Sequence, residues 1–392
     1  MFAVLRAARK SLGKLALCLS FVALAACDPG AMQMGGGPAI SRGGPVPVAL
    51  LVPYESTQGG DVALATSLEN AARMAIADLD GAQIDLRVYP TGGQAERASS
   101  AASQAVADGA KVILGPVYGG SAKLAGLAAG RAGVNVLSFS NNPDVAGGNV
   151  FILGPTFDNT ANRLVSYARA NGKSRIMVVN GQAAAEQAGA EAIRGAIARQ
   201  GATLAGQQSF ELSQQGVVSA IQPIASTARS SGADAIFFTS GNDGAMPLLA
   251  QMLPENGIRS PNPQYIGLQR WNIPPSALSL PGLQDSWFAI PDQQLAASFS
   301  SRYTARYGSQ PHALAGLAYD GIAAIGALAS EGNTGTLSAQ ALTRRNGFVG
   351  VNGVFRLMSD GTNERALSVA TIQNNQVIEI DPAPRAFGGF GF

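Results

Sequence analysis

The feature that most constrains this chain is a strand–helix alternation that runs through it twice. Short apolar runs at 46–53, 84–89, 112–114 and 134–139 are separated by stretches of helical apolar spacing at 67–79, 95–108 and 121–132. In the first of these, Leu68, Ala71, Ala72, Ala75, Ile76 and Leu79 share one helix face. Strands joined by connections of that length form parallel βαβ units, and a parallel sheet is covered by helices on both faces. After Pro155 the order begins again, with helices predicted at 160–170, 183–200, 217–230 and 246–253. Strands are predicted at 175–180, 203–210, 235–239 and 264–267. Residues 107–115 and 231–239 match in detail: each reads as a helix end, a Gly stop and a buried strand. The pattern predicts two similar doubly wound α/β lobes.

The last quarter is less regular. A strand is expected at 286–290 and a helix at 294–307, with Phe299, Tyr303 and Tyr307 near one face. A long Ala-rich helix follows at 313–329. Closing strands are expected at 354–357, 366–373 and 376–380, with Asn374-Asn375 as a hairpin turn. Hydrophobic residues at 46% and charged residues at 13% suit a chain with a large core and exclude dominant disorder.

The N-terminal segment reads as an address. Arg6, Arg9, Lys10 and Lys14 precede an apolar run at 15–26, which is too short for an ordinary membrane span and suits a signal peptide. The run ends in Leu24-Ala25-Ala26-Cys27, which resembles the lipobox of bacterial lipoproteins. The expectation is cleavage after residue 26, a lipid on Cys27 and a Gly/Pro tether over 27–45, holding the protein to a membrane in the periplasm. Asp28 resembles an inner-membrane retention signal, and the choice between inner and outer membrane stays open. Cys18 leaves with the signal and Cys27 carries lipid, so no disulfide forms. Of the 27 Lys and Arg, four lie in 1–26, where no Asp or Glu occurs. The mature chain therefore has 23 basic residues against 25 acidic ones. That balance, without a basic stripe, argues against nucleic acid as a partner. One His excludes a His-rich metal site. Residues 381–392 are expected to form a flexible tail.

The ordered body resembles the type I periplasmic binding proteins, in the branch of branched-chain amino-acid receptors. Val48-Ala49-Leu50-Leu51-Val52-Pro53-Tyr54, followed by a helix with Asn70-Ala71-Ala72-Arg73-Met74-Ala75, carries the likeness. So do Val112-Ile113-Leu114-Gly115-Pro116 and Gly133-Val134-Asn135-Val136-Leu137-Ser138. Residues 138–142 and 145–151 look like the penicillin-binding-protein activator lipoproteins. The resemblance implies two lobes joined by three crossovers: 46–155 plus 285–345, and 156–284 plus 346–380. It implies a non-enzymatic activator of a peptidoglycan synthase, with no cofactor. The alternative is the substrate-binding receptor of an ABC transporter for an amino acid or other small polar ligand.

The resemblance also implies a cleft at the carboxyl ends of the strands. The hydroxyl that holds a ligand carboxylate in amino-acid receptors falls on Gly119, beside Gly120 and Ser121. The next ligand segment falls on Phe139, Ser140 and Asn141. An aromatic contact falls near Gly241 or Asn242, and the acidic residue that pairs with a ligand ammonium falls near Gln269. A neutral Gln cannot supply that charge-assisted contact. Tyr118 and Trp271 either close the cleft on a ligand or pack beside it, and Ser140 and Asn141 either bind a ligand or satisfy loop backbone. His312, after Pro311, reads as a surface or cap residue, and no nucleophile–base pair or metal cluster is visible.

Overall fold

The structure is a computed structural model and describes residues 44–331 and 337–387. The signal segment, Cys27 and most of the tether lie outside the described residues.

The first lobe opens with β1 (Val46–Val52), α1 (Asp61–Asp78), β2 (Ile84–Pro90), α2 (Ala95–Ala107), β3 (Val112–Leu114), α3 (Gly119–Gly130), β4 (Asn135–Ser138) and β5 (Val150–Ile152). The five strands form one parallel sheet in the order β2-β1-β3-β4-β5. Strand alternation explains why β1 is apolar throughout. Val46, Val48, Leu50 and Val52 enter one core with α1, while Ala49 and Leu51 enter another with α2 and α3.

The second lobe contains α4 (Phe157–Ala170), β6 (Arg175–Gly181), α5 (Ala184–Arg199), β7 (Thr203–Phe210), α6 (Gln214–Ser230), β8 (Ala235–Phe238), α7 (Met246–Glu255), β9 (Gln264–Gly267) and β10 (Trp287–Ile290). Then come α8 (Gln293–Tyr307), α9 (Ala315–Ser330), α10 (Ala339–Leu342), β11 (Phe348–Gly350), β12 (Gly353–Leu357), β13 (Asn363–Arg365), β14 (Ser368–Gln373) and β15 (Gln376–Asp381). The second sheet runs β15-β14-β10-β9-β8-β6-β7. Strands β6 to β10 are mutually parallel, and β14 and β15 add antiparallel at the β10 edge. Met177 and Val179 face one core and Ile176 and Val178 the other. Asn374 and Asn375 both have positive φ, 52° and 60°, so the β14–β15 hairpin closes through the two-residue turn that matches strand twist.

Two boundaries differ from the sequence expectation. Residues 287–290 pair with β9 and β14, so they belong to the second sheet and not to the first lobe. Strands β11, β12 and β13 form their own small antiparallel sheet, and Phe348, Phe355 and Leu357 insert into the first lobe's core beside α1 and α9. The first lobe's share of the C-terminal region thus runs from α8 to β13. Sequence pattern reveals such strands but not which distant apolar surface they cover. The expectation of a free tail from residue 381 also changes. Ala383 and Phe387 are buried in a cluster with Val354 and Ala366, and the Arg356 guanidinium lies 4.8 Å from the Phe387 ring centroid. Residues 388–392 lie outside the described residues.

The chain passes between the lobes at 153–156, 291–292 and 366–367, and polar side chains stitch these passages together. Thr156 Oγ1 accepts from Asn159 N at 3.3 Å, while Asn159 Oδ1 accepts from Thr156 N at 3.0 Å, a reciprocal cap that starts α4 at the first passage. Asp292 Oδ1 accepts from Leu295 N at 3.0 Å and starts α8 at the second. Asn363 Nδ2, just before the third, donates to Ile152 O and Gly154 O, each at 2.9 Å.

Candidate functional site: the inter-lobe cavity

A cavity of about 290 Å³ opens between the lobes. The first lobe contributes Asn141, after β4, and Ala313, Leu314 and Leu317 at the start of α9. The second contributes Thr156, Phe157 and Thr160 at the start of α4, Leu268, Gln269 and Arg270 after β9, and Ala289 of β10. Pro155, Pro291, Asn352, Arg365 and Leu367 complete the wall at the passages. These residues converge because ligand clefts in open α/β sheets form beyond the carboxyl ends of the strands.

The wall is mostly apolar with a few polar groups, the usual make-up of a small-molecule site. Its charge is one-sided: two arginines and no acidic residue. Arg365 pairs through Nη1 with Asp320 Oδ2 at 2.8 Å, while its Nη2 has no hydrogen-bond partner among the described residues. Arg270 makes no ion pair among the described residues; its Nε reaches Asn272 Oδ1 at 3.4 Å. The residue as a whole is exposed, but the protein atoms around its guanidinium hold its pKa below the usual arginine value. A guanidinium with no ion-pair partner among the described residues, beside an apolar wall, can donate hydrogen bonds to an oxyanion.

Of the ten residues expected in the cleft, Asn141 and Gln269 line this cavity. The others are placed differently. Trp271 is fully buried, donates from Nε1 to Ser240 O at 3.1 Å and packs against Phe238 with centroids 6.0 Å apart. Its bulk fits because Gly267 has no side chain: a Cβ there would come within 2.5 Å of Trp271 Cε2. Asn242 donates from Nδ2 to Trp271 O at 2.8 Å and Ile273 O at 3.1 Å, bracing the loop that presents Arg270. Phe139 is buried, and its N–H donates to Pro116 O at 3.0 Å. Ser140 is buried and its Oγ accepts from Asn142 N at 3.1 Å, so it satisfies its own loop.

Tyr118, Gly119, Gly120 and Ser121 lie at the start of α3. A Cβ on Gly119 would lie 3.6 Å from Ser140 Oγ, so this turn adjoins the Asn141 loop without entering the cavity wall. Gly120 faces Ala95, and Ser121 is buried in the helix. The Tyr118 hydroxyl donates to Asp61 Oδ1, across to the start of α1. Burial, and then the Asp61 carboxylate, push the Tyr118 pKa up to about 12. His312 caps the entry to α9: its N–H donates to Ser67 Oγ at 2.8 Å and its Nδ1 accepts from Leu314 N at 3.1 Å.

The second lobe also holds a carboxylate that the sequence reading passed over. Glu186, near the start of α5, accepts from Gly181 N and Thr239 Oγ1, each at 2.6 Å, and from Ser240 Oγ at 2.9 Å. It ties the ends of β6 and β8 together. Its partners are all internal, and it adds no acid to the cavity wall.

No curated protein sequence matches the chain. The family model described as periplasmic binding protein matches residues 45–376. Among solved structures, a Rhodospirillum rubrum protein named for branched-chain amino acid ABC transport shares 18% identity and a TM-score of 0.72, over 86% of this chain and 100% of that one. A Desulfitobacterium hafniense ABC transporter substrate-binding protein in complex with Leu shares 18% identity and a TM-score of 0.60, over 86% and 100%. A Rhodopseudomonas palustris solute-binding protein in complex with benzoate shares 16% identity and a TM-score of 0.55, over 89% and 99%. Two parallel-rich lobes, three passages between them and a family match across nearly the whole described body agree: this chain belongs to the periplasmic binding protein family.

Proposed function

We propose that the protein is the substrate-binding component of an ABC-type transporter, and that it holds a small carboxylate with an apolar body between its lobes. The observation that carries this reading is Arg270, a guanidinium without an ion-pair partner in a cavity wall that has no acidic residue. A free amino acid brings an ammonium as well as a carboxylate, and this wall offers the ammonium no counter-charge. A plain carboxylate leaves no such group unpaired. The neighbours named for Leu and benzoate complexes support a carboxylate ligand, and between those two the wall chemistry favours the kind without an ammonium.

The synthase-activator reading draws on the lipobox, the tether, the weakened ligand clamp and the likeness of residues 138–151. Those residues already serve the first lobe: Ser138 Oγ donates to Pro116 O at 2.8 Å, and Asn149 Nδ2 donates to Gly126 O and Val134 O. The transport-named neighbours give that reading no support, and the receptor reading takes its place. The lipobox at 24–27 supports a lipid anchor that keeps the receptor at the periplasmic face of a membrane.

A thermal-shift screen tests the reading, because a ligand that binds only the native state raises its melting temperature. Aromatic and aliphatic monocarboxylates are expected to raise it more than the matching amino acids and amides. A screen in which no carboxylate shifts the transition, or in which amides shift it equally, overturns the proposal.

A further inference from the structure

A second cavity, of about 260 Å³, lies on the other side of α4 from the inter-lobe cavity. Asn159, Asn162, Arg163 and Ser166 fall on one face of that helix and line it, whereas Phe157 and Thr160 line the first cavity. The remaining wall comes from the end of α5, from β12 and β13, and from the C-terminal segment with Phe387. The cavity therefore spans the junction between the second lobe and the small sheet of the first.

Its charged groups are concentrated, and each of its four arginines has one acidic partner, Glu364 for Arg356. Arg163, Arg199, Arg356 and Arg365 line it, against one carboxylate, Glu364. The other acids that pair with these arginines stand outside the wall: Asp381 with Arg163, Asp158 with Arg199 and Asp320 with Arg365. Each pairing uses part of a guanidinium that has five N–H donors. Arg163 spends Nε on Leu367 O and Nη2 on Asp381, which leaves Nη1 without an acceptor among the described residues. Arg199 spends Nε on Asn162 and Nη2 on Asp158, which again leaves Nη1. Arg365 Nη2 is buried and has no hydrogen-bond partner among the described residues, although the residue lies on the wall of both cavities. A buried donor without an acceptor is costly, and an oxyanion is a ligand that can satisfy guanidinium donors on one cavity wall.

We propose that this junction cavity is a second ligand site, for a small anion carrying phosphate or several carboxylate groups. Its volume of about 260 Å³ equals roughly nine waters at ~30 Å³ each, room for more than one oxyanion group. The site is independent of the cleft reading above, because its charged wall shares only Arg365 with the cleft.

Calorimetric titration of the full chain with inorganic phosphate, pyrophosphate and citrate tests it, alongside Arg199→Gln and Arg356→Gln. Arg199 is half exposed, so its replacement leaves the fold intact and keeps the test clean if Arg356→Gln misfolds. At least one of the three anions is expected to bind saturably, with affinity falling about tenfold or more in Arg199→Gln. Absence of saturable binding by all three overturns the proposal. So does binding that survives Arg199→Gln unchanged, or binding that is lost in Arg270→Gln and kept in Arg199→Gln, which puts the anion in the inter-lobe cavity.

Discussion

Arg365 of β13 and Asp320 of α9 form an ion pair inside the junction, Nη1 to Oδ2 at 2.8 Å, with side chains 5% and 0% exposed. Asp320 Oδ1 also accepts from Val351 N at 2.8 Å, and Arg365 Nε donates to Leu153 O at 2.9 Å. One pair thus ties α9 and the small sheet to the first passage between the lobes. Breaking a buried pair leaves a charge without its partner, so Asp320→Asn is expected to lower unfolding stability by about 3–5 kcal/mol in denaturant titrations. Replacing both residues, as Asp320→Leu with Arg365→Met, is expected to cost less than the sum of the single changes. Additive losses contradict the pairing.

Gly267 and Trp271 make a tight contact that sets the loop carrying Arg270. Because a Cβ at 267 would meet the indole at 2.5 Å, Gly267→Ala is expected to destabilise the protein by about 1–3 kcal/mol. Adding Trp271→Phe, which shortens the ring, should recover part of that loss. Equal stability of Gly267→Ala and the parent, read from the denaturation midpoint, rules the contact out as a constraint.

Tyr118 supplies a test at high pH. Its ordinary pKa of 10.0 is raised to about 12 in the folded protein by burial and by Asp61. The unfolded chain therefore releases this proton first as pH rises. The contribution is fully present below pH 10, falls between pH 10 and about 12, and is spent above that. Tyr118→Phe is expected to flatten the part of the stability profile that this residue owns. Unfolding midpoints of the two proteins across the window check it, and parallel profiles contradict the assignment.

The lipid anchor is tested in cells. Cys27→Ala removes the acceptor thiol, so the variant is expected in the soluble periplasmic fraction, while the parent sediments with membranes and takes up labelled palmitate. Membrane recovery of the variant undistinguished from the parent removes lipid as the anchor.

The fold was largely legible in the sequence because it rests on local signals. Apolar runs such as 48–52 and 235–238, helical spacing in 67–79 and the Asn374-Asn375 turn each report nearby physics. The sheet that β10 joins, the core that Phe348 and Phe355 enter and the burial of Phe387 depend on partners far along the chain, so pattern alone misassigned them. The cavity follows the same rule. Asn141 and Gln269 follow from the resemblance to amino-acid receptors, whereas Leu314, Leu317 and Asn352 arrive from the C-terminal region through tertiary packing. Arg270 stood beside Gln269 in the sequence, but its significance lies in having no ion-pair partner, which only the assembled fold reveals.

The central claim is that a carboxylate docks on Arg270 between the lobes. Calorimetric titration of the parent and Arg270→Gln with the monocarboxylate that most stabilises the parent tests it most directly. A charge-assisted hydrogen bond contributes about 1.5–3 kcal/mol, so the variant is expected to bind roughly 10- to 150-fold more weakly, with its melting temperature in the absence of ligand unchanged. Equal affinity of the two proteins contradicts the account.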